Sequence, residues 1–196
     1  MSEAAAIGFR VHSGWAAAVA AAGSPAKPVV LERRRIELAA ASIPGSKQPY
    51  HAAERLEAGE AEALIRRCHG SSLLLAKSAV SALAAQLTQT GYRVVGTGIL
   101  FASGRPLPDL AKILRSHALI HTAEGEFFRE ALASASEDCL LTVVRVKERE
   151  AWDRGAETFG MISTDLQRRI GELGRSLGPP WRVDEKLAAT AAWLAL

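Results

Sequence analysis

In Ile7-Gly-Phe-Arg-Val-His-Ser-Gly-Trp15, the apolar residues stand at odd positions, and this alternation continues to Val19. Successive side chains of a β-strand point to opposite faces, so the pattern predicts a strand with one face in the core. A second run, Val29 to Leu38, shifts its apolar phase within Glu32 to Arg35, which predicts a β-bulge. The two runs together predict an antiparallel hairpin at the start of the chain.

Two later stretches are almost continuously apolar, at Tyr92 to Ala102 and at Cys139 to Val146. Strands without alternation are typical of a parallel sheet that is covered on both faces. Helical segments surround these strands, so the sequence predicts an α/β fold. Its mixed sheet has an N-terminal antiparallel hairpin, parallel central strands and helices on both faces. We expect residues 1–196 to form a single α/β domain.

The helices are predicted from amphipathic spacing and from their end signals. They cover Tyr50 to Arg67, Leu73 to Thr90, Asp109 to about Ala135, parts of Glu148 to Leu177, and Glu185 to Leu196. Gly70-Ser-Ser is predicted to separate the first two helices, and Gly91 is predicted to end the second. Asp184 is predicted to cap the N-terminus of the closing helix.

Composition excludes several classes of protein. A chain of 196 residues buries a core without disulfides or structural metal. Cys68 and Cys139 are isolated, which fits a reducing compartment. The net charge of +3 is too small to predict nucleic-acid binding by itself, and it argues against a strongly cationic substrate.

The apolar stretch Trp15 to Ala22 is mostly alanine, and the residues before it alternate like a strand, so we do not expect a signal peptide. No run approaches the ~18 apolar residues of a membrane span. The expectation is a soluble cytoplasmic protein.

A strand that opens the chain and a helix that closes it carry a family resemblance. The strand is Ile7 to Trp15, and the helix contains Asp184-Glu-Lys-Leu-Ala-Ala-Thr-Ala-Ala192, an acidic start followed by small residues. Both resemble elements of the ribonuclease H-like superfamily, which includes resolvase-type nucleases, actin-like ATPases and the middle domain of archaeo-eukaryotic release factors. The resemblance implies a ribonuclease H-like fold, although the third strand of the superfamily's N-terminal hairpin has no clear counterpart in the sequence.

The sequence departs from this superfamily where nuclease chemistry would take place. Superfamily nucleases hold divalent metal with clustered carboxylates, the first of them on the opening strand. Arg10 stands at that position, Arg93 to Ala102 has no carboxylate, and only Asp184 or Glu185 remains. A guanidinium repels metal ions, so we predict that the chain is not a metal-dependent nuclease. The chain also lacks the Gly-Gly-Gln tripeptide of the release-factor domain and the phosphate loops of the actin-like ATPases.

His117, His121 and Glu124 form the first candidate site. Their i, i+4, i+7 spacing places them on one face of a helix, beside its apolar stripe. Two imidazoles and a carboxylate can bind zinc or iron, and a histidine with a glutamate can also act as an acid/base pair without metal. A hydrogen-bonded polar rim of the core is the third interpretation. Thr122 could instead cap a helix that begins there, which would leave both histidines in a loop.

Basic residues near Trp15 form the second candidate site. Arg10 and His12 share the outward face of the first strand, and Arg33 to Arg35 lie on the second, so together they could contact phosphates. The alternative is a solvated hairpin face. Tyr50 and His51 could line a cleft with the histidine helix. The candidate binding residues are therefore Arg10, His12, Arg33, Arg35, Tyr50 and His51.

Two functions follow from these sites. The favoured one is a non-nuclease binding module on a ribonuclease H-like frame, with nucleic acid or a phosphorylated ligand as its partner. The alternative is a small hydrolase-type enzyme, metal-dependent or not, that uses His117, His121 and Glu124. The sequence leaves the cofactor and the oligomeric state open.

Overall fold

The computed structural model describes residues 2–24, 27–102 and 106–196. Within them, the strands are β1 (Glu3–His12), β2 (Trp15–Ser24), β3 (Lys27–Glu37), β4 (Tyr92–Phe101) and β5 (Thr142–Lys147). The helices are α1 (Pro49–Ala53), α2 (Ala58–Gln89), α3 (Leu110–Leu114), α4 (His117–Asp138), α5 (Ala151–Thr158), α6 (Ser163–Leu177) and α7 (Val183–Leu194). A 3₁₀ turn at Glu148–Glu150 follows β5.

The strands form one mixed sheet in the order β3-β2-β1-β4-β5. β1, β2 and β3 are antiparallel neighbours, whereas β4 runs parallel to β1 and β5 runs parallel to β4. Helices α2 and α4 pack on one face of the sheet, and α7 covers the other. The predicted α/β class, with a mixed sheet and helices on both faces, is confirmed.

The predicted N-terminal antiparallel unit is present, but it has three strands where the sequence predicted two. A turn at Ser13 and Gly14 divides the first predicted strand, and Gly14 adopts a positive φ of 81° there. His12 pairs with Trp15 across this turn, and Gly8 pairs with Val19. Paired residues share a face, so Val19 points to the opposite side from Ile7. The third strand that the resemblance lacked is therefore present.

The predicted bulge is observed in β3, close to its expected place. Ala20 pairs with Glu32 and Ala21 pairs with Val30, so Leu31 is the additional residue. A bulge there restores the phase of the strand, and Ile36 is buried in the core together with Val11 and Ala16.

Helix α2 is one uninterrupted helix of 32 residues, so the break predicted at Gly70-Ser-Ser is wrong. A glycine inside a helix costs about 1 kcal/mol, which packing of the buried face easily offsets. Cys68 and Ser72 lie on that buried face, on both sides of Gly70. The helix ends where predicted, because Gly91 follows it with a φ of 91°.

Helix α4 carries both predicted histidines. Ser116 caps its N-terminus by accepting a hydrogen bond from the Leu119 amide at 3.4 Å. The Thr122 hydroxyl donates to the Ala118 carbonyl at 2.9 Å, inside the helix, so the alternative in which Thr122 caps a new helix is wrong.

Helix α7 lies directly on β1 and β4 through close backbone contact. A Cβ atom on Gly8 would collide with the carbonyl of Ala188, and one on Gly98 would collide with the carbonyl of Ala191. The small residues of the closing helix thus let it approach two strand glycines.

The capping prediction for α7 is wrong. The helix begins at Val183, and the Glu185 carboxylate accepts the hydrogen bond of the Arg182 amide at 2.7 Å. The side chain of Asp184 is thereby left for a different contact.

Candidate functional site

Arg10 lies near the end of β1, on the face covered by α7, and binds two carboxylates. It donates from Nε and Nη2 to Oε1 of Glu148, at 3.2 and 2.7 Å, and from Nη1 to Oδ1 of Asp184. Glu148 belongs to the turn after β5, and Asp184 belongs to the first turn of α7. Three separate elements therefore meet at one guanidinium, which we call the Arg10 centre.

His12 extends this centre. Its Nε2 lies 3.1 Å from Oδ1 of Asp184, and its ring stacks on Trp15 with centroids 4.3 Å apart. Burial opposes the charge of Asp184, but hydrogen bonds from Arg10 and His12 outweigh it, so the pKa of Asp184 lies below its ordinary value. Asp184 is therefore a carboxylate at neutral pH.

Arg10 likewise keeps its charge at neutral pH. Burial acts to lower its pKa, but hydrogen bonds to Glu148 and Asp184 raise the pKa above its ordinary value. Its side chain is 20% exposed. The centre thus contains a permanent cation that is compensated by two carboxylates.

An open cleft of about 590 Å³ adjoins the Arg10 centre. It is lined by Ala102, Arg129, Glu148, Arg149, Trp152 and Leu187. Arg129 is well buried and donates from Nε to the Leu100 carbonyl at 2.9 Å, and its burial lowers its pKa. Arg149 is exposed, and its side chain pairs with Glu150 at 3.4 Å. The cleft lies beyond the carboxyl ends of β4 and β5, where ligands bind in open α/β sheets.

Arg33 and Arg35 of β3 lie on the same face of the sheet as Arg10, but two strands away from it. β2 separates β3 from β1, so the predicted pairing of their strands is wrong. Arg33 donates to carbonyls at the end of α6, including those of Leu177 and Gly178, each at 2.7 Å. Arg35 stacks on Trp15 at 3.9 Å from the ring centroid and pairs with Glu37.

A second group of polar side chains lies where α1 meets the start of α4. His117 and His121 stand one turn apart on α4, and their Nε2 atoms are 3.0 Å apart. His51 of α1 packs against both, with ring centroids 5.5 and 4.9 Å away. The nitrogen atoms that these three residues can offer to a metal ion all lie within 4.8 Å of one another. We call this group the histidine cluster.

Glu124 lies behind His51 and is 4% exposed. Its Oε1 accepts from the backbone amides of Tyr50 and His51 at 2.7 and 3.0 Å, and lies 3.3 Å from His51 Nδ1. Burial raises the pKa of Glu124, although the hydrogen bonds from His51 and Tyr50 oppose this. Oε2 has no hydrogen-bond partner among the described residues. Glu124 therefore supports His51 instead of standing beside His117 and His121.

The structure thus places most predicted site residues at the Arg10 centre or at the histidine cluster, whereas Arg33 binds the end of α6. His117 and His121 come together with His51, which the sequence suggested only as part of a cleft wall. Tyr50 reaches Glu124 through its backbone amide. Pro49 at the first position of α1 was the available sign that a short helix presents His51, because proline is preferred there. Glu148 was missed, since nothing near it in the sequence indicates a partner.

Comparison with known proteins supports the architecture. No protein-family model matches the chain, and no curated protein matches it either. Among solved structures, the chain is similar to RuvC from Thermus thermophilus, with a TM-score of 0.51 and 10% identity. The match covers 96% of this chain and 90% of that one. None of the described helices is long and apolar enough to cross a membrane. The chain is an α/β protein with a ribonuclease H-like fold.

Proposed function

We propose that the chain is a binding module on a ribonuclease H-like frame, which binds phosphate groups of nucleic acid or of a phosphorylated ligand without cleaving them. The observation that carries this proposal is the Arg10 centre. Arg10 takes the place of the opening-strand acid, and it engages Glu148 and Asp184 through charged hydrogen bonds.

Charge explains why such a centre disfavours metal-dependent cleavage. A two-metal site holds its cations about 4 Å apart with several carboxylates. Here the positive charge is supplied by Arg10, and the charges of Glu148 and Asp184 are already compensated by it. A divalent ion would have to displace a guanidinium that stays protonated at any working pH.

The cleft beside the centre has the chemistry for a phosphorylated partner. Arg149 is exposed, and among the described residues its side chain pairs only with Glu150, a neighbouring acid in solvent, so its guanidinium is available to a phosphate. Trp152 lines the same cleft and offers a face on which a base can stack. A nucleotide unit carries both a phosphate for Arg149 and a base for Trp152.

Anisotropy with labelled single-stranded and duplex oligonucleotides tests this proposal. We expect binding at low salt that weakens steeply as salt rises. Arg149→Ala and Trp152→Ala should each weaken binding, whereas Arg168→Ala, at an exposed arginine of α6, should not. Competition with a nucleoside monophosphate distinguishes a small phosphorylated ligand from a longer strand. Absence of binding at about 50 mM salt, or equal losses in all three variants, rejects the proposal.

A hydrolase-type activity at the histidine cluster is the second candidate. The observation that favours it is the convergence of three imidazoles, two of them exposed, next to a buried carboxylate. Hydrolysis of p-nitrophenyl acetate and p-nitrophenyl phosphate, measured with and without added zinc, tests it. We expect turnover that His117→Ala removes and that His69→Ala, at a histidine outside the cluster, retains. Turnover that is unchanged in His117→Ala would assign the activity to another site or to a contaminant.

A further inference from the structure

The histidine cluster has the composition of a metal centre. It joins residues from two helices that are far apart in sequence, and one of its members, His51, is held by a hydrogen-bonded carboxylate. We propose that His51, His117 and His121 bind one zinc ion, and that Glu124 positions His51 for this role.

His117 and His121 provide the first two ligands. Their four-residue spacing on α4 places both rings on the same side of the helix. Zinc holds imidazole nitrogens at about 2.0–2.1 Å, so two ligands of a tetrahedral ion lie about 3.3 Å apart. The two Nε2 atoms are 3.0 Å apart, close to that separation. Zinc would replace the nitrogen-to-nitrogen hydrogen bond that this distance otherwise requires.

His51 provides the third ligand from a separate helix. All three candidate nitrogens lie within 4.8 Å of one another. The side chains of His117 and His121 are exposed, so a change of rotamer can close the remaining gap without moving the backbone. His51 is half-buried and fixed at α1, which makes it the anchor of the site.

Glu124 determines which nitrogen of His51 faces the metal. Its Oε1 lies 3.3 Å from Nδ1 of His51, which fixes the proton on that nitrogen and leaves the lone pair of Nε2 for coordination. A carboxylate behind a ligating histidine is the usual support of a zinc-bound imidazole. The same oxygen also receives the amides of Tyr50 and His51, so it holds the backbone as well as the ring.

Charge balance favours an ion in this place. Glu124 is buried, and its Oε2 has no partner among the described residues. A buried carboxylate without a compensating cation is costly. Zinc bound through His51 brings two positive charges close to it.

Three protein ligands leave a fourth position open. Zinc sites of this kind hold water or substrate there, whereas structural sites have four protein ligands. The exposed side of the cluster is formed by His117 and His121, so solvent reaches that position. The metal site does not depend on phosphate binding at the Arg10 centre, nor on hydrolysis, since a zinc ion can bind without turning over a substrate.

Titration of untagged, chelator-treated full-length chain with zinc chloride and cobalt chloride tests the proposal. We expect one ion per chain and, for cobalt, the intense visible absorption of a tetrahedral site. His117→Ala and His121→Ala should each remove stoichiometric binding, and His51→Ala should do the same. Glu124→Gln should weaken zinc binding by about 10- to 100-fold with the tetrahedral spectrum retained.

His69→Ala serves as the matched control, because His69 lies on α2 outside the cluster. It should bind zinc like the unmodified chain. His117 and His121 are exposed, so their variants should fold, as circular dichroism will show. The proposal is overturned if the unmodified chain takes up less than one ion, or if His69→Ala loses as much affinity as His117→Ala.

Discussion

At the scale of single residues, Arg10 is held by two carboxylates that lie 138 and 174 residues further along the chain. The pKa of Asp184 is lowered by Arg10 and His12, so its contribution to stability is present above its pKa in the unfolded chain, near 3.8. That contribution is lost as pH falls through the lower pKa of the folded state.

The variant Asp184→Asn should therefore lose stability in a pH-dependent way. We expect a free energy of unfolding about 1 kcal/mol below that of the unmodified chain at pH 7, because a charged hydrogen bond to Arg10 becomes a weaker neutral one. The difference should shrink as pH falls from about 4 towards the lower pKa of the folded chain, because Asp184 takes up a proton first in the unfolded chain. Urea unfolding at several pH values measures both quantities. A difference that stays constant down to pH 2 would contradict the role of the Asp184 charge.

The variant Arg10→Asp should remove the internal cation and make the stability of the chain depend on added metal ions. It places a third carboxylate beside Glu148 and Asp184, and oxygen ligands of this kind suit Mg²⁺ and Mn²⁺. We expect a loss of about 3 kcal/mol in metal-free buffer, because two carboxylates lose their common partner. Added Mn²⁺ should raise the melting temperature of this variant only. Arg168→Asp is the control. If Mn²⁺ does not change the melting temperature of Arg10→Asp, the Arg10 centre is not arranged as described.

At the scale of elements, two glycines have opposite roles. Gly98 sits under α7, where an added Cβ would collide with the Ala191 carbonyl, whereas a Cβ on Gly70 meets nothing within 4 Å. Gly98→Ala should lower the free energy of unfolding by about 1–3 kcal/mol, because α7 must move away from β4. Gly70→Ala should raise it by up to about 1 kcal/mol, because alanine favours the helix. Chemical denaturation of both variants measures these changes, and a stabilised Gly98→Ala would show that α7 does not lie on the strand.

Elements with a strong local sequence signal were predictable, and those with a weak signal were not. The parallel strands β4 and β5 and the end of α2 at Gly91 follow from local sequence. β2 was merged with β1 because alanine has little strand preference and a two-residue turn interrupts the chain only briefly. The continuous α2 was missed because the tertiary packing that offsets a glycine is invisible in the local sequence.

At the scale of the whole molecule, both candidate sites depend on contacts between distant parts of the chain. The spacing of His117 and His121 was readable from the sequence because one helix sets it. The addition of His51 was not, because α1 and α4 lie 73 residues apart at the His51–Glu124 contact. Asp184 was assigned to a helix cap for the same reason, since a local role was the only one that local sequence could indicate.

The central claim is that this ribonuclease H-like fold binds phosphates without cutting them. The most direct test incubates purified chain with single-stranded, duplex and branched DNA in Mg²⁺ and in Mn²⁺. Binding is followed on native gels, and strand integrity on denaturing gels. We expect bound and intact DNA at low salt, because Arg10 occupies the centre where metal would act. Cleavage that disappears in Asp184→Asn or in Glu124→Gln, and so belongs to this chain, would contradict the account.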